Sequence, residues 1–291
     1  MIFPDLSILT RGTQEDVFNM WRKEIGVYME NSETAKSYRV IALLDESGSI
    51  DSFELNRMFR RLKQHDPEDE RPLLLILVSP GGEVEPAYQI AKICRKYSHN
   101  RLVIAIPRIA KSAATLISLG ADEIHMGELG QLGPIDLQLN GIPAAAIRQA
   151  LTVLRDLAKD QPSAAVMFAQ YLRASLSVEQ IGFSDRVAES VEQYATRLLS
   201  RRKDLPAPAE VIASKLAQAY KNHRFVIDEE EARELLGENM VRSGTPEADL
   251  AENIYEFYNV CCLFLSRHKY KLHVCGDLYE DLTDFPIDTD A

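Results

Sequence analysis

The sequence predicts an α/β protein built on a layered, mostly parallel sheet and continued by a mostly helical C-terminal portion. Three observations predict this. Between about 39 and 126 short aliphatic runs alternate with helix-period patterns, those runs are apolar at nearly every position, and beyond 143 the pattern is almost all helical.

The elements follow in order. The residues before 39 read as an N-terminal helical segment. VIALL (40–44) is the first strand, and Phe53, Leu55, Met58, Phe59 and Leu62 then recur at helical spacing. QHDPEDERP (64–72) is a solvated connection to the second strand, LLLILV (73–78). Ala87, Ile90, Ala91 and Cys94 mark a second helix, expected to begin near Pro86, and LVIAI (102–106) and DEIHM (122–126) are the next strands. Runs apolar on both alternating faces suit parallel strands covered on both sides.

Helices are expected over 144–158, 163–174, 186–202 and 208–220. In DEEEARELLG (228–237) acidic residues open a helix, matching its dipole, and Gly237 closes it. Leu250, Ile254, Phe257, Tyr258, Cys261 and Phe264 share one helical face within 246–266, which therefore packs against something. The tail GDLYEDLTDFPIDTDA carries six acidic residues and no basic one, and is expected to be mostly mobile. The resulting division is 1–38, 39–240 and 241–291, although no low-complexity linker marks either boundary.

Composition bounds the function. In 291 residues, 46% hydrophobic and 26% charged, a sizeable core is available. The net charge of −11, with no long basic run, argues against nucleic acid as the default partner. LLLILV is far too short to span a bilayer, and MIFPDLSILTRG lacks the order of a signal peptide, so the expected location is cytoplasmic. Cys94, Cys261, Cys262 and Cys275 are too few and too irregular for a disulfide framework. With His268 and His273, the last three match no standard zinc spacing, and no metal is expected. No Walker-type phosphate loop is present, so any ATP-driven unfoldase would have to be a separate protein, and no cofactor is expected.

Chemistry gathers at two loops. Ser79-Pro80-Gly81-Gly82 follows the second strand, and paired glycines let a backbone approach a ligand with amides free to donate. Ser112 likewise stands between a strand and a helix start. Neighbouring parallel strands bring both loops to one carboxyl edge, where such sheets build sites. Ser112 itself has two readings, an N-cap for the following helix or a nucleophile beside unpaired helix-start amides.

At these residues the chain resembles a family. An apolar strand, SPGG, a helix, an apolar strand and then a serine before small residues and LxxGADE resemble the Clp-protease/crotonase superfold. SAATLISLGADEIHMGELGQLGPID is similar to the serine dehydrogenase proteinase family, a relative of signal peptide peptidases, and KNHRFVIDEEEARELLG (221–237) extends the resemblance. It spans about 39–237. SPGG alone is weak; SPGG, the serine element, LGPID and EARELLG in this order are specific.

The resemblance implies a Clp/crotonase-like layered ββα fold and a serine peptidase acting on peptides or unfolded protein. Ser112 would be the nucleophile, and backbone amides of Gly81, Gly82 and Ala113 would bind the oxyanion. It also implies a homo-oligomer, with 144–174 as assembly face, and leaves room for a separate regulator. The base is less determined. Where Clp-type enzymes carry a histidine, this chain has LGPIDLQL and Asp136, a poor base unless burial raises its pKa. Where peptidases of the signal-peptide group carry a lysine, Arg155 falls, which cannot lose its proton; Lys159, one turn on, is the first candidate to test, although in AKDQP it reads more simply as a solvated helix-end lysine. His223 and Lys221 remain as candidates, Lys111 reads as a substrate or solvent contact, and a lone His125 on a strand reads as structural. The missing histidine motivates an alternative, a catalytically inactive Clp-like protein that binds peptides or partners.

Overall fold

The computed structural model describes residues 12–286 except 65, 136–137, 140–141, 176–177 and 221, and only the backbone of 138–139, 142–148, 172–175 and 178–188. The described residues hold strands β1 (Arg39–Leu44), β2 (Leu73–Val78), β3 (Leu102–Ile106), β4 (Ile109–Ala110), β5 (Glu123–Met126), β6 (Gln131–Leu132), β7 (Gln138–Leu139), β8 (Ile142–Pro143), β9 (Val241–Ser243), β10 (Tyr270–Gly276) and β11 (Leu282–Pro286). They form two compact units. The first draws on the described residues of Met1–Leu132, Asp204–Pro206 and Val226–Ala291, the second on those of Gly133–Lys203 and Ala207–Phe225.

The first unit is a seven-stranded sheet in the order β11-β10-β1-β2-β3-β5-β9. Strands β1, β2, β3, β5 and β9 run parallel in register, from Arg39 opposite Leu73 through Leu73 opposite Leu102 to Ile124 opposite Val241. Every residue of β2 and β3 is buried, as two-sided cover requires. On one face Ala42, Leu44, Leu74, Ile76 and Val103 meet helices Gln14–Asn31 and Pro246–Ser266, with Trp21 stacked on Phe257 at 5.3 Å between ring centroids. The alternate positions face the layer of helices Ser52–Lys63, Val84–Tyr97 and Ala113–Ser118. All six apolar positions expected to line one face of 246–266 are buried.

The tail departs from its expected mobility. Leu282–Pro286 pairs antiparallel with β10, Leu282 opposite Val274 and Pro286 opposite Tyr270, and β10 pairs antiparallel with β1. The acidic residues are here turn-formers and ion-pair partners. Asp277 Oδ1 accepts from the amides of Tyr279 and Glu280 at 2.8 and 3.1 Å, Asp281 Oδ2 accepts from Asp277 N–H at 2.7 Å, and Arg61 pairs with Asp277 and Glu280. Residues 287–291 lie outside the described residues.

The second unit is helical. Helix Ala144–Asp160 leads through a 3₁₀ turn, Pro162–Ala164, to helix Ala165–Ser175, followed by helix Val178–Leu199 and by helix Ala209–Ser214 with its π-helical continuation Lys215–Ala219. Val191, Ala195, Leu198 and Leu199 are buried, as are Ile212, Ala213 and Leu216 opposite them. Val153, Leu157, Val166, Met167 and Tyr171 are instead exposed.

Candidate active site

The glycine loop and the serine loop are joined by backbone pairing before any side chain is considered. At the end of β2, Ser79 N–H donates to Ile109 O at 2.8 Å and Ser79 O accepts from Lys111 N–H at 3.1 Å. The short strand β4 thus carries the chain from β3 across to β2 and delivers Ser112 beside Gly81. Thr115 Oγ1 donates to Ala110 O at 2.7 Å and Ala114 N–H to Lys111 O at 2.9 Å, fastening the turn from inside.

The approach is close enough to demand glycine. A Cβ on Gly81 would stand 2.7 Å from Ser112 Cβ and 2.9 Å from Lys111 O, and Gly81 has φ +121°. Gly82, at φ +152°, is packed on the other side, where a Cβ would meet Ile50 N and O at 2.3 Å. Ser79 Oγ accepts from Gly81 N–H at 3.1 Å. The amides of Gly82 and Ala113 make no hydrogen bond among the described residues. Of the two glycines, then, Gly82 presents the open donor and Gly81 the clearance.

Ser112 sits at φ 52°, ψ −117°, one of three described non-glycine residues at positive φ. Such a conformation costs about 1–3 kcal/mol and persists only where its surroundings dictate it. Ser112 occupies the N-cap position of helix Ala113–Ser118, yet its side chain makes no capping hydrogen bond. The hydroxyl is half-buried and has no hydrogen-bond partner among the described residues. A half-buried, uncapped hydroxyl on a strained strand-to-helix turn can attack a carbonyl, and unpaired amides such as those of Gly82 and Ala113 can hold the oxygen that becomes negative.

The candidate bases are placed as follows. Asp136 and Lys221 lie outside the described residues. Lys159 and His223 belong to the second unit. Lys159 is exposed, with Nζ 3.8 Å from Asp156 Oδ1, and His223 is half-buried in a turn. His125 is buried in the seam between β5 and helix Pro246–Ser266, Nδ1 at 2.7 Å from Thr245 Oγ1 and Nε2 at 3.2 Å from Glu123 Oε2. Burial pulls its pKa down against the opposing carboxylates of Glu247 and Glu123, so both ring nitrogens serve the fold.

ESGSID reads as a tight turn, but Ile50 within it pairs with Gly82, Ile50 N–H donating to Gly81 O at 2.9 Å and Glu83 N–H to Ile50 O at 2.7 Å. The aspartate three residues before Gly48 was the available signal. Among the described residues no group of three or more His, Cys, Asp or Glu is arranged to hold a metal, and no helix is long and apolar enough to cross a membrane.

Residues 49–260 match the model of a family described as ClpP-like SDH-type serine proteinase. Two uncharacterized proteins of Methanocaldococcus jannaschii are similar: MJ0137 is 33% identical over 186 residues, 64% of this chain and 57% of that protein, and MJ1495 is 29% identical over 185 residues, 64% and 56%. The chain thus spans a little over half the length of these relatives. Among solved structures, a mutant of the membrane-bound stomatin-specific protease 1510-N in complex with a substrate peptide shares 14% identity, covering 87% of this chain and 90% of that one at a TM-score of 0.45. ClpP1 from Listeria monocytogenes shares 13%, covering 72% and 94% at 0.43. A family match over 212 consecutive positions, running through the glycine loop, the serine turn and the sheet that joins them, is far more than a shared motif, and the chain belongs to the ClpP-like SDH-type serine proteinases.

Proposed function

We propose that the chain is a serine peptidase that cleaves peptides or unfolded protein through an acyl-enzyme on Ser112. Ser112 Oγ adds to the scissile carbonyl carbon while a base takes the hydroxyl proton. The carbonyl oxygen, now an oxyanion, accepts from Gly82 N–H and Ala113 N–H; each such donor is worth about 3–4 kcal/mol in the transition state. Collapse expels the amine, which takes a proton from the base, and water then hydrolyses the ester. The observation that carries this reading is the strained, uncapped Ser112 held in van der Waals contact with Gly81.

For the base we take Lys159 first, then His223 and Asp136. A lysine acts as a base when desolvated, and the Lys159 side chain is 69% exposed in the single chain, so the proposal requires its surroundings to close. The exposed Val153 and Leu157 on the same helix supply a reason for closure by assembly into a homo-oligomer. A second reading, an inactive peptide- or partner-binding protein, is favoured by the absence of a hydrogen-bond partner for Ser112 Oγ among the described residues.

A fluorophosphonate probe separates the two. The peptidase predicts stoichiometric phosphonylation of Ser112 that vanishes in Ser112→Ala. Wild-type protein that resists the probe across pH 6–9, while still binding peptides, establishes the second reading.

A further inference from the structure

We infer that Asp45 is a positioning residue that aims the Gly82 amide at the reacting centre, acting through the loop that follows β1. The inference rests on the serine-peptidase reading and adds to it the device that orients one oxyanion donor.

The chain of contacts is short. Asp45 is buried at the end of β1, and its Oδ1 accepts from Ser47 N–H at 3.0 Å and Gly48 N–H at 2.7 Å, closing the loop on itself. Lys271 Nζ of β10 lies 3.6 Å from the same oxygen. At its far end the loop is fastened by a reciprocal cap, Asp51 Oδ1 accepting from Phe53 N–H and Glu54 Oε2 from Asp51 N–H at 2.9 Å. Between these anchors lies Ile50, whose N–H holds Gly81 O and whose O holds Glu83 N–H.

Peptide planarity supplies the consequence. No cis peptide bond occurs among the described residues, so in the Gly81–Gly82 unit the carbonyl and the N–H point in opposite directions. Fixing Gly81 O onto Ile50 N–H therefore turns Gly82 N–H away from the loop, and it is the amide left without a partner. Two glycines make the contact possible: a Cβ on Gly82 would stand 2.3 Å from Ile50 N, and one on Gly48 would stand 1.8 Å from Asp45 Oδ2. Without the carboxylate oxygen, the Ser47 and Gly48 amides lose their acceptor and Ile50 is free to shift. The Gly81 peptide then rotates within the space its glycines allow.

The test uses the full chain and the kinetics of Ser112 phosphonylation, because the adduct's oxygen occupies the oxyanion position. Asp45→Ala should lower the first-order inactivation constant about 10- to 100-fold, short of the full loss of a donor, with probe affinity unchanged within about twofold. Gly48→Ala, which displaces the carboxylate by one methyl group, should reproduce that effect. Asp45→Asn keeps an acceptor oxygen but loses the Lys271 ion pair, so it should restore the rate to within a few-fold of wild type even if its melting temperature is as low as that of Asp45→Ala. Equal rates in wild type, Asp45→Ala and Gly48→Ala overturn the inference and leave the peptidase reading intact. Rates that follow melting temperature, with Asn no better than Ala, overturn it too. A wild-type Ser112 that never reacts removes the peptidase reading and the inference with it.

Discussion

A serine or threonine that heads a helix ordinarily turns its hydroxyl back onto the first-turn amides, as Thr13, Ser32 and Thr245 do in this chain. Ser112 does not, because its φ of 52° rotates the side chain out of capping reach. That angle was invisible in the sequence, where position alone favours the cap and only the glycine loop upstream and the ordered segments downstream favour the nucleophile. A second residue-scale feature concerns pH. Glu54 and His273 face each other in the buried space between helix Ser52–Lys63 and β10, Oε1 to Nε2 at 3.5 Å, and His273 Nε2 has no hydrogen-bond partner among the described residues. Burial pushes the Glu54 carboxyl from 4.5 up to about 7 and the His273 imidazole from 6.5 down to about 4. The signs are opposite. Glu54, raised on folding, contributes stability that is full below pH 4.5 and lost as pH rises to 7; His273, lowered on folding, contributes stability that is present above 6.5 and lost as pH falls to 4. Glu54→Gln mimics the neutral acid, so its melting temperature relative to wild type should climb from pH 4.5 to pH 7 and level off above, by about 2–4 °C for each kcal/mol recovered. A difference constant over that range would show that folding leaves the Glu54 carboxyl at its ordinary pKa.

At the scale of elements, the parallel strands were legible because a strand buried on both faces writes itself as an unbroken aliphatic run, and β1, β2 and β3 fall within a residue of their expected bounds. The glycine and serine loops were legible for a related reason: they stand at the carboxyl ends of neighbouring strands. The edge was not. Strands β10 and β11 carry only partial apolar alternation, and the acidic composition of 276–291 resembles that of a solvated tail until Arg57 and Arg61 of another element are placed opposite it. The loop 45–51 was legible as a turn and illegible as a support, since its pairing with Gly82 joins residues 32 positions apart. The hairpin is docked by Trp21, whose Nε1–H donates to Leu278 O at 2.6 Å in the core. Trp21→Phe leaves that carbonyl unpaired and should cost about 1–3 kcal/mol in chemical denaturation. Hydrogen exchange should show the β10–β11 amides protected in wild type and faster in the variant. Free exchange across 270–286 in wild type would instead restore the mobile tail.

At the scale of the whole molecule, the question is what covers the helices of the second unit. Val166, Met167 and Tyr171 are 68%, 59% and 68% exposed, and Met167 and Tyr171 share a helix face, as do Val153 and Leu157 on the preceding helix. Apolar side chains clustered in this way are costly in water and typical of surfaces that meet a partner, and a net charge of −11 opposes indiscriminate association, leaving a shaped apolar contact as the means. A second copy of the chain supplies the same patch on every molecule. Wild type should therefore show a concentration-dependent mass above that of one chain in size exclusion with light scattering, and Val166→Glu with Tyr171→Glu should return it to a single chain. If the same contact desolvates Lys159, the phosphonylation rate of Ser112 per chain should rise with concentration in wild type and stay low and flat in the double variant. A wild type that is monomeric at every concentration would remove the assembly and, with it, the case for Lys159. An assembly whose rate per chain does not depend on concentration would keep the first and move the search for the base to His223 and Asp136.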